Sequence, residues 1–299
     1  MNMSDRPKVS IVLVNYNGAR DTLECIDSLS NITYPNYQII VVDNASSDDS
    51  VSIMSQGGFP NMTLLEAGDN LGFSGGNNVG IRYALEKGTD YILLLNNDTI
   101  VTEDFLDKLV DSAKILENQA VITSKILYAG EPDTIWYAGG EFNEKTGRVS
   151  HTRIGQKNDR QEQLREVTFI SGCCMLFSVD TFSRIGELEE SFFLYCEDLE
   201  YCCRAREKGV RLYYEPRSVI YHKVSASTGK ASTLSVYYTV RNTQNIIESY
   251  VLPQCRIVAK LYFVLQTVKR IVSGEYSWKA VKKGLLDYQK KVTGKAAIN

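Results

Sequence analysis

At 299 residues, 43% hydrophobic and 23% charged, the chain has an ordinary globular composition, enough for one large core or two small ones. Its net charge of −3 excludes a global nucleic-acid signature, and no uninterrupted apolar run approaches the roughly 20 residues that cross a bilayer. The charge is uneven, however. From Pro253 onward ten bases face only Glu275 and Asp287, so that stretch carries about +8 and the body before it about −11.

The polar start "MNMSDRPK" runs straight into a strand pattern, with no signal-peptide pattern. Seven cysteines, including the adjacent pairs Cys173–Cys174 and Cys202–Cys203, show no CxxC metal spacing. They predict reduced, mostly buried thiols in a cytoplasmic protein. There the Asn44-Ala45-Ser46 sequon carries no meaning.

In chain order, "VSIVLVNY" (Val9–Tyr16) reads as a strand buried on both faces. "NG" ends it, and "ARDTLECIDSLSN" has helical spacing at Leu23, Ile26 and Leu29. "YQIIVVDNAS" predicts a second buried strand ending at Asp43, "DDSVSIMSQ" a short helix with acids in its first turn, and "MTLLEA" a third strand. "GDNLGFSGGNNVGIRYALEKG" reads as a glycine-rich loop running into a helix that stops at Gly88. "DYILLLNND" is a fourth buried strand, and "TEDFLDKLVDSAKIL" a helix with Thr102 at its N-cap. The β-α alternation predicts an α/β fold with a mostly parallel sheet.

Beyond Val121 the rhythm changes. Tyr128 to Arg165 reads as loops or a hairpin, "VTFISGCCMLFSVDTFSRIG" as strand then helix, and "RLYYEPRSVIYH" as a strand pair around Pro216. From Ser235 onward the pattern is helical, with breaks near Pro253 and Gly274. There is no internal repeat.

Ligands of open α/β sheets bind beyond the carboxyl ends of the strands. Four such ends are polar here: "NYNG", "DNASSDD", the glycine stretch and "NND". Any one of them could be an ordinary turn; four on one sheet edge point to a site. Asp43 could accept from a nucleobase N–H or a ribose hydroxyl. "GFSGGN" follows the third strand rather than the first, which disfavours a dehydrogenase. Asp98, at the end of a buried strand, suits a hard-cation ligand or a turn acid. "NYNGARD" lacks the lysine and glycines of a nucleotidyltransferase phosphate loop. In "SFFLYCEDLEYCCRAREKG", Glu197 and Asp198 open a helix whose bases come late and which Gly209 stops. Arg204, about a turn and a half on, could pair with Glu200 or Glu197. The preceding "FFLY" reads as an apolar shield that would suit a general base.

"VSIVLVNYNG", "IIVVDNASSDDS", "NLGFSGGNNVGI", "YILLLNNDT", "ISGCCMLF", "FFLYCEDLEYCCRAREKG" and "VIYH" occur in this order over Val9 to Asn245. Together they resemble the family 2 glycosyltransferases with the GT-A fold, in particular the bacterial rhamnosyltransferase-like branch. The resemblance implies a GT-A catalytic domain over residues 1–234, with a nucleotide-binding half to about 120 and an acceptor half beyond it. A helical extension over 235–299 would follow.

It implies that Asn15, Asn17, Asp43, Asn44 and Ser46 hold the nucleotide, together with Gly72, Phe73, Gly76, Asn77, Asn78, Asn96 and Asn97. Asp98 matches the last acid of the DXD-type motif, with Asn96 where a stricter motif has Asp, and His222 matches a histidine completing a Mg²⁺ or Mn²⁺ site. Asp198 matches the catalytic base and Glu197 its neighbour. Gly172, Cys173, Tyr195 and Arg204 fall in the donor-sugar or acceptor pocket. Tyr237, Arg241 and Asn242 lie in a recurring "YYTVRN" helix, where packing and acceptor contact are both open.

The implied activity is single-displacement, inverting transfer from a nucleotide-diphosphate sugar, dTDP-L-rhamnose first among donors, to a saccharide or lipid-linked acceptor in surface-polysaccharide synthesis. A UDP-hexose or UDP-galactofuranose donor is the alternative within the class, and a non-catalytic nucleotide-sugar-binding module the alternative outside it. The lysine-rich tail is a solvated face, a peripheral contact with anionic membrane on its cytoplasmic side, or an interface in a homo-oligomer.

Overall fold

The computed structural model describes residues 6–158, 162–224 and 231–296. Residues 225–227 of the "YHKVSAS" stretch and the last three residues of the basic tail lie outside them.

Strands β1 (Val9–Asn15), β2 (Tyr37–Asp43), β3 (Met62–Glu66) and β4 (Tyr91–Leu95) run parallel in the order β3-β2-β1-β4. Val12 and Leu13 of β1, Ile40 and Val41 of β2, and Leu93 and Leu94 of β4 are fully buried. Burial of consecutive residues on both faces is what the continuous apolar runs require. Beyond β4 the sheet continues through β11 (Cys174–Ser178, antiparallel), β6 (Ala120–Tyr128), β12 (Arg211–His222, parallel to β6) and β10 (Arg165–Val167). β5 (Thr99–Val101) pairs with β12 and β7 (Glu131–Tyr137) with β6, making ten strands; β8 (Gly140–Asn143) and β9 (Arg148–His151) form a separate hairpin.

Helices cover both faces. Thr22 of α1 (Ala19–Ser30) donates to Asn15 Oδ1 on one side of β1, while α3 (Gly72–Glu86) lies over Val12 and Val14 on the other. Gly72, Gly75, Gly76 and Gly80, read as part of a loop, lie in α3; Gly68 precedes it. A Cβ on Gly76 would lie 2.9 Å from Val14 Cγ1, and one on Gly80 would collide with Val12. Gly76 and Gly80 therefore let the helix approach the sheet closely.

Two further expectations change. "RLYYEPRSVIYH" is one strand, β12, whose register against β6 shifts between Glu215 and Val219, so Pro216 sits in a bulge instead of ending a strand. Helix α2 (Ser50–Ser55) follows β2, and α4 (Phe105–Ile115), after α3, starts beyond Asp104; the Thr102 hydroxyl donates to Val219 O and does not cap it.

After α5 (Val179–Ile185) and α6 (Glu197–Glu207) come the C-terminal helices α7 (Thr233–Tyr250), α8 (Arg256–Val272) and α9 (Trp278–Gln289). The α7 helix joins the main core through Ile246 and Ile247 and a second, smaller core with Phe193, Tyr276 and Val281. Among the described residues no helix is long and apolar enough to cross a membrane.

Candidate active site

The strand order places β2 on one side of β1 and β4 on the other. Their connections leave the carboxyl edge in opposite directions, and a crevice opens at such a switch point. A cleft of about 310 Å³ lies there, lined by Tyr16, Asn17, Gly18 and Asp21 after β1, Phe73 and Asn77 of α3, and Asn96 to Asp98 after β4.

Not every predicted nucleotide ligand faces this cleft. Asp43 is 1% exposed, and its carboxylate already accepts from Asn15 Nδ2 (2.8 Å), Ser46 Oγ (2.7 Å) and Ser46 N (2.9 Å). Asn15 and Ser46 are consumed by the same network, and Ser46 Oγ accepts from Asn17 N at 2.9 Å. The acid thus shapes the β1 and β2 loop ends, with three of its acceptor positions already filled from within the chain.

Asn44 is likewise structural: Leu71 N donates to its Oδ1, and its Nδ2 donates to Gly72 O. Asn78 turns away from the cleft, donating to Leu188 O and Glu190 while accepting from Leu188 N. Asn97 lines the cleft but spends an amide hydrogen on Thr22 Oγ1. Gly72, with φ of +71°, lies against the Phe193 carbonyl and admits no side chain. The sequence identified the sheet edge but could not separate residues that face the ligand from residues that brace those loops.

Asp98 and His222 do meet. β5 runs antiparallel to the end of β12, pairing Thr99 with His222 and setting His222 Nε2 3.1 Å from Asp98 Oδ1. Asp98 Oδ1 is buried with no hydrogen-bond partner, as is His222 Nδ1. An orphaned carboxylate oxygen beside an imidazole nitrogen suits a shared divalent cation. Two protein donors leave the remaining positions to phosphate oxygens and water, which is how Mg²⁺ is commonly held. No group of three or more His, Cys, Asp or Glu side chains forms a metal cage among the described residues. Trp136 packs edge-on against the His222 ring, centroids 4.7 Å apart, and Lys223 N donates to Asp98 O. Neither residue was legible as part of the site.

Gly172 joins this wall to the opposite one. A Cβ there would crowd both Phe73 and Asp198, at 3.2 and 3.3 Å, so the glycine lets the cleft-lining Phe73 and Asp198 of α6 pack close on either side of it. Gly172 N donates to Asp198 Oδ2 (3.0 Å) and Leu199 N to Asp198 Oδ1 (2.8 Å). The neighbouring Cys173 accepts from Asn96 N through its carbonyl. Burial, and then the Asp98 charge, push its thiol well above the usual range, so Cys173 is an inert packing group.

Both α6 acids are shifted upward. Burial and then the Asp198 charge raise Glu197 to about 8; burial raises Asp198 too, opposed by the Gly172 and Leu199 N–H bonds. Burial and the mutual repulsion of two adjacent carboxylates favour keeping a proton on the pair, and the two N–H bonds to Asp198 favour leaving the charge on that residue. A carboxylate raised in this way is a stronger general base than a free one. An unfolded glutamate ionises near 4.5, so between 4.5 and about 8 the folded chain keeps a proton that the unfolded chain has lost. Glu197 therefore erodes stability as pH rises through that window. Glu197→Gln should match wild type in urea denaturation at pH 4.5 and be increasingly the more stable above it, by at most about 1.4 kcal/mol per pH unit. Parallel stability curves would mean Glu197 is ionised in the fold.

The loop carrying these acids is strained. Phe193, Tyr195 and Cys196 have φ of 62°, 64° and 69°, a conformation costing roughly 1–3 kcal/mol each for non-glycine residues. "FFLY" is thus not a shield over the acids. Phe193 O accepts from Phe73 N and its ring stacks on Tyr238, while Tyr195 is 41% exposed. What holds the loop is α7. Buried Asn242 Nδ2 lies within hydrogen-bond distance of the carbonyls of Phe192, Leu194 and Tyr195, at 2.7–2.9 Å, and Arg241 donates to Ser191 O and Phe192 O. This resolves the "YYTVRN" helix as a clamp. Asn242→Ala should cost about 1–3 kcal/mol in urea denaturation and lower kcat more than it weakens donor binding.

Arg204 is corrected out of the pocket. Its guanidinium is spent on Glu200, Ile185 O and Glu187 O, anchoring α6 to the loop after α5.

The site thus combines a polar cleft at a switch point, an Asp98–His222 pair at its edge and a buried carboxylate dyad behind Gly172. The chain belongs to glycosyl transferase family 2, whose model matches residues 10–186; the α6 acids lie just beyond that span. It is 29% identical over 236 residues to the low-salt glycan biosynthesis hexosyltransferase Agl10 of Haloferax volcanii, covering 78% of this chain and 73% of the relative. It is 22% identical over 289 residues to the dTDP-rhamnosyl transferase RfbF of Shigella flexneri, covering 94% and 91%. With the N-acetylglucosaminyl-diphospho-decaprenol L-rhamnosyltransferase of Mycobacterium tuberculosis it shares 26% over 251 residues, covering 76% and 80%.

Among solved structures, the mannosyltransferase PcManGT of Pyrobaculum calidifontis, in complex with GDP-Man and Mn²⁺, superposes with a TM-score of 0.61 at 15% identity, covering 97% and 84%. GalNAc-T7 with UDP, GalNAc and Mn²⁺ superposes at 0.64 and 14%, covering 82% of this chain but only 49% of that one. The fold is GT-A, and the protein is a glycosyltransferase of the hexosyl-transferring kind.

Proposed function

We propose that this protein moves a deoxyhexose, L-rhamnose from dTDP-L-rhamnose, onto a saccharide or lipid-linked saccharide acceptor with inversion at the anomeric carbon. The observation that carries the transfer chemistry is the placement of Asp198 across Gly172 from the cleft-lining Phe73. The rhamnosyl donor and the lipid-linked acceptor are supported by the Shigella dTDP-rhamnosyl transferase and the Mycobacterium rhamnosyltransferase of a diphospho-decaprenol acceptor. A UDP-hexose donor is the reading the hexosyltransferase relative favours.

In this reading the nucleotide occupies the cleft between Asn17 and Asn96, and Asp98 with His222 would hold a divalent cation on the diphosphate. Such a cation neutralises charge on the departing nucleoside diphosphate. Asp198 takes the proton from the acceptor hydroxyl as its oxygen bonds to the anomeric carbon and the carbon–phosphate-oxygen bond breaks. One displacement suffices, so no second nucleophilic carboxylate is required. The test is a panel of dTDP-, UDP- and GDP-sugars with a synthetic lipid-linked acceptor, following nucleoside diphosphate release and the product's anomeric configuration by NMR. Transfer from dTDP-L-rhamnose with inversion is expected. Turnover of only a UDP-hexose would replace the donor, and a retained configuration would remove the role of Asp198.

A further inference from the structure

The α8 helix turns its apolar face outward. Ile257, Leu261, Val264, Leu265, Val268 and Val272 recur at one-, three- and four-residue steps along one side, and each is at least half exposed, Ile257 at 75% and Val272 at 82%. Of its 17 residues only Ala259 and Thr267 are buried. Single exposed aliphatic residues are ordinary, but a continuous helical stripe of them marks a binding surface.

The surrounding charge says what that surface meets. Lys269 borders the stripe, and on α9 Lys279 and Lys282 stand exposed beside Trp278, itself 59% exposed. These three lysines pair with no carboxylate among the described residues, whereas Arg256 and Lys260 are already matched by Glu248. Two copies joined symmetrically through α8 would bring two segments of about +8 together. An anionic surface satisfies both features at once: the stripe enters the interface, and the lysines and Trp278 sit at headgroup level.

We propose that α8, with the exposed edge of α9, docks the enzyme on an anionic lipid bilayer. The inference is independent of donor identity, and its test needs no nucleotide sugar. The full chain is co-sedimented with vesicles of phosphatidylcholine alone and of phosphatidylcholine with phosphatidylglycerol, at low and high salt, alongside light scattering for mass.

Wild type should sediment with the anionic vesicles only, and less at high salt. Leu261→Glu combined with Leu265→Glu should abolish binding while the far-UV spectrum stays unchanged. Lys269→Gln combined with Lys279→Gln should weaken binding by about thirty-fold, each lysine contributing about fivefold. Absence of sedimentation with anionic vesicles would overturn the proposal. So would a dimer by light scattering that the leucine substitutions dissociate without any vesicle binding, which would assign the stripe to a second copy of this chain.

Discussion

Asp198→Asn is expected to reduce transfer by about 10²–10⁴-fold while leaving donor affinity, measured by calorimetry, close to wild type. The carboxylate accepts from Gly172 N on one oxygen and Leu199 N on the other. An asparagine can meet only one of those donors with its carbonyl, so a modest loss of stability accompanies the loss of proton acceptance. Thermal denaturation separates the two effects: a folded variant that binds donor but does not turn over supports the base. The substitution also removes the Asp198 charge, the second cause of the Glu197 shift, so the Glu197 carboxyl should fall somewhat below about 8 while burial, the larger cause, still holds it raised. Normal turnover in Asp198→Asn would remove the residue from the chemistry.

Asp98→Ala carries the second large effect, and its sign depends on the metal. Asp98 is the one carboxylate of the Asn96–Asp98 turn, and beside its buried Oδ1 stands only His222 Nε2, 3.1 Å away. With Mn²⁺ present, nucleotide-sugar affinity should fall by at least about tenfold, because a charged ligand to the cation is gone. Without metal the same substitution removes a negative charge from beside the diphosphate, so affinity should hold or rise. Titrations with and without Mn²⁺ on both proteins read this crossing directly. An equal loss in both conditions would mean that Asp98 supports the β4–β5 turn and binds no cation.

Much of this arrangement was legible in the sequence because its causes are local. Runs such as "IIVV" and "YILLL" must be buried on both faces, the β-α alternation forces a parallel edge, and the acids of "EDLE" open α6. Other features depended on partners far along the chain. Asn44 and Asn78 look alike as polar residues near glycines, but only the fold shows one bracing the start of α3 and the other tied to Leu188. The glycines of α3 have helical spacing and also turn-like composition, and close approach to Val12 and Val14 decided between them.

Pro216 breaks a strand pattern locally, but the pairing of β12 with β6 on either side carries the strand through it. Asn242 clamps a loop some fifty residues earlier, and nothing in "YYTVRN" announces that distance. The outward face of α8 was visible as mixed apolar and basic spacing, but only the packing shows that the apolar side is the one left uncovered.

The most direct test of the central claim is calorimetric titration of the wild-type protein with nucleotide-diphosphate sugars, with and without Mn²⁺. The account predicts one-to-one binding of a single sugar nucleotide, tightened by the cation and with dTDP-L-rhamnose foremost. Absence of binding by every sugar nucleotide in either condition would contradict it, and would return the polar ends of β1, β2 and β4 to the role of ordinary turns.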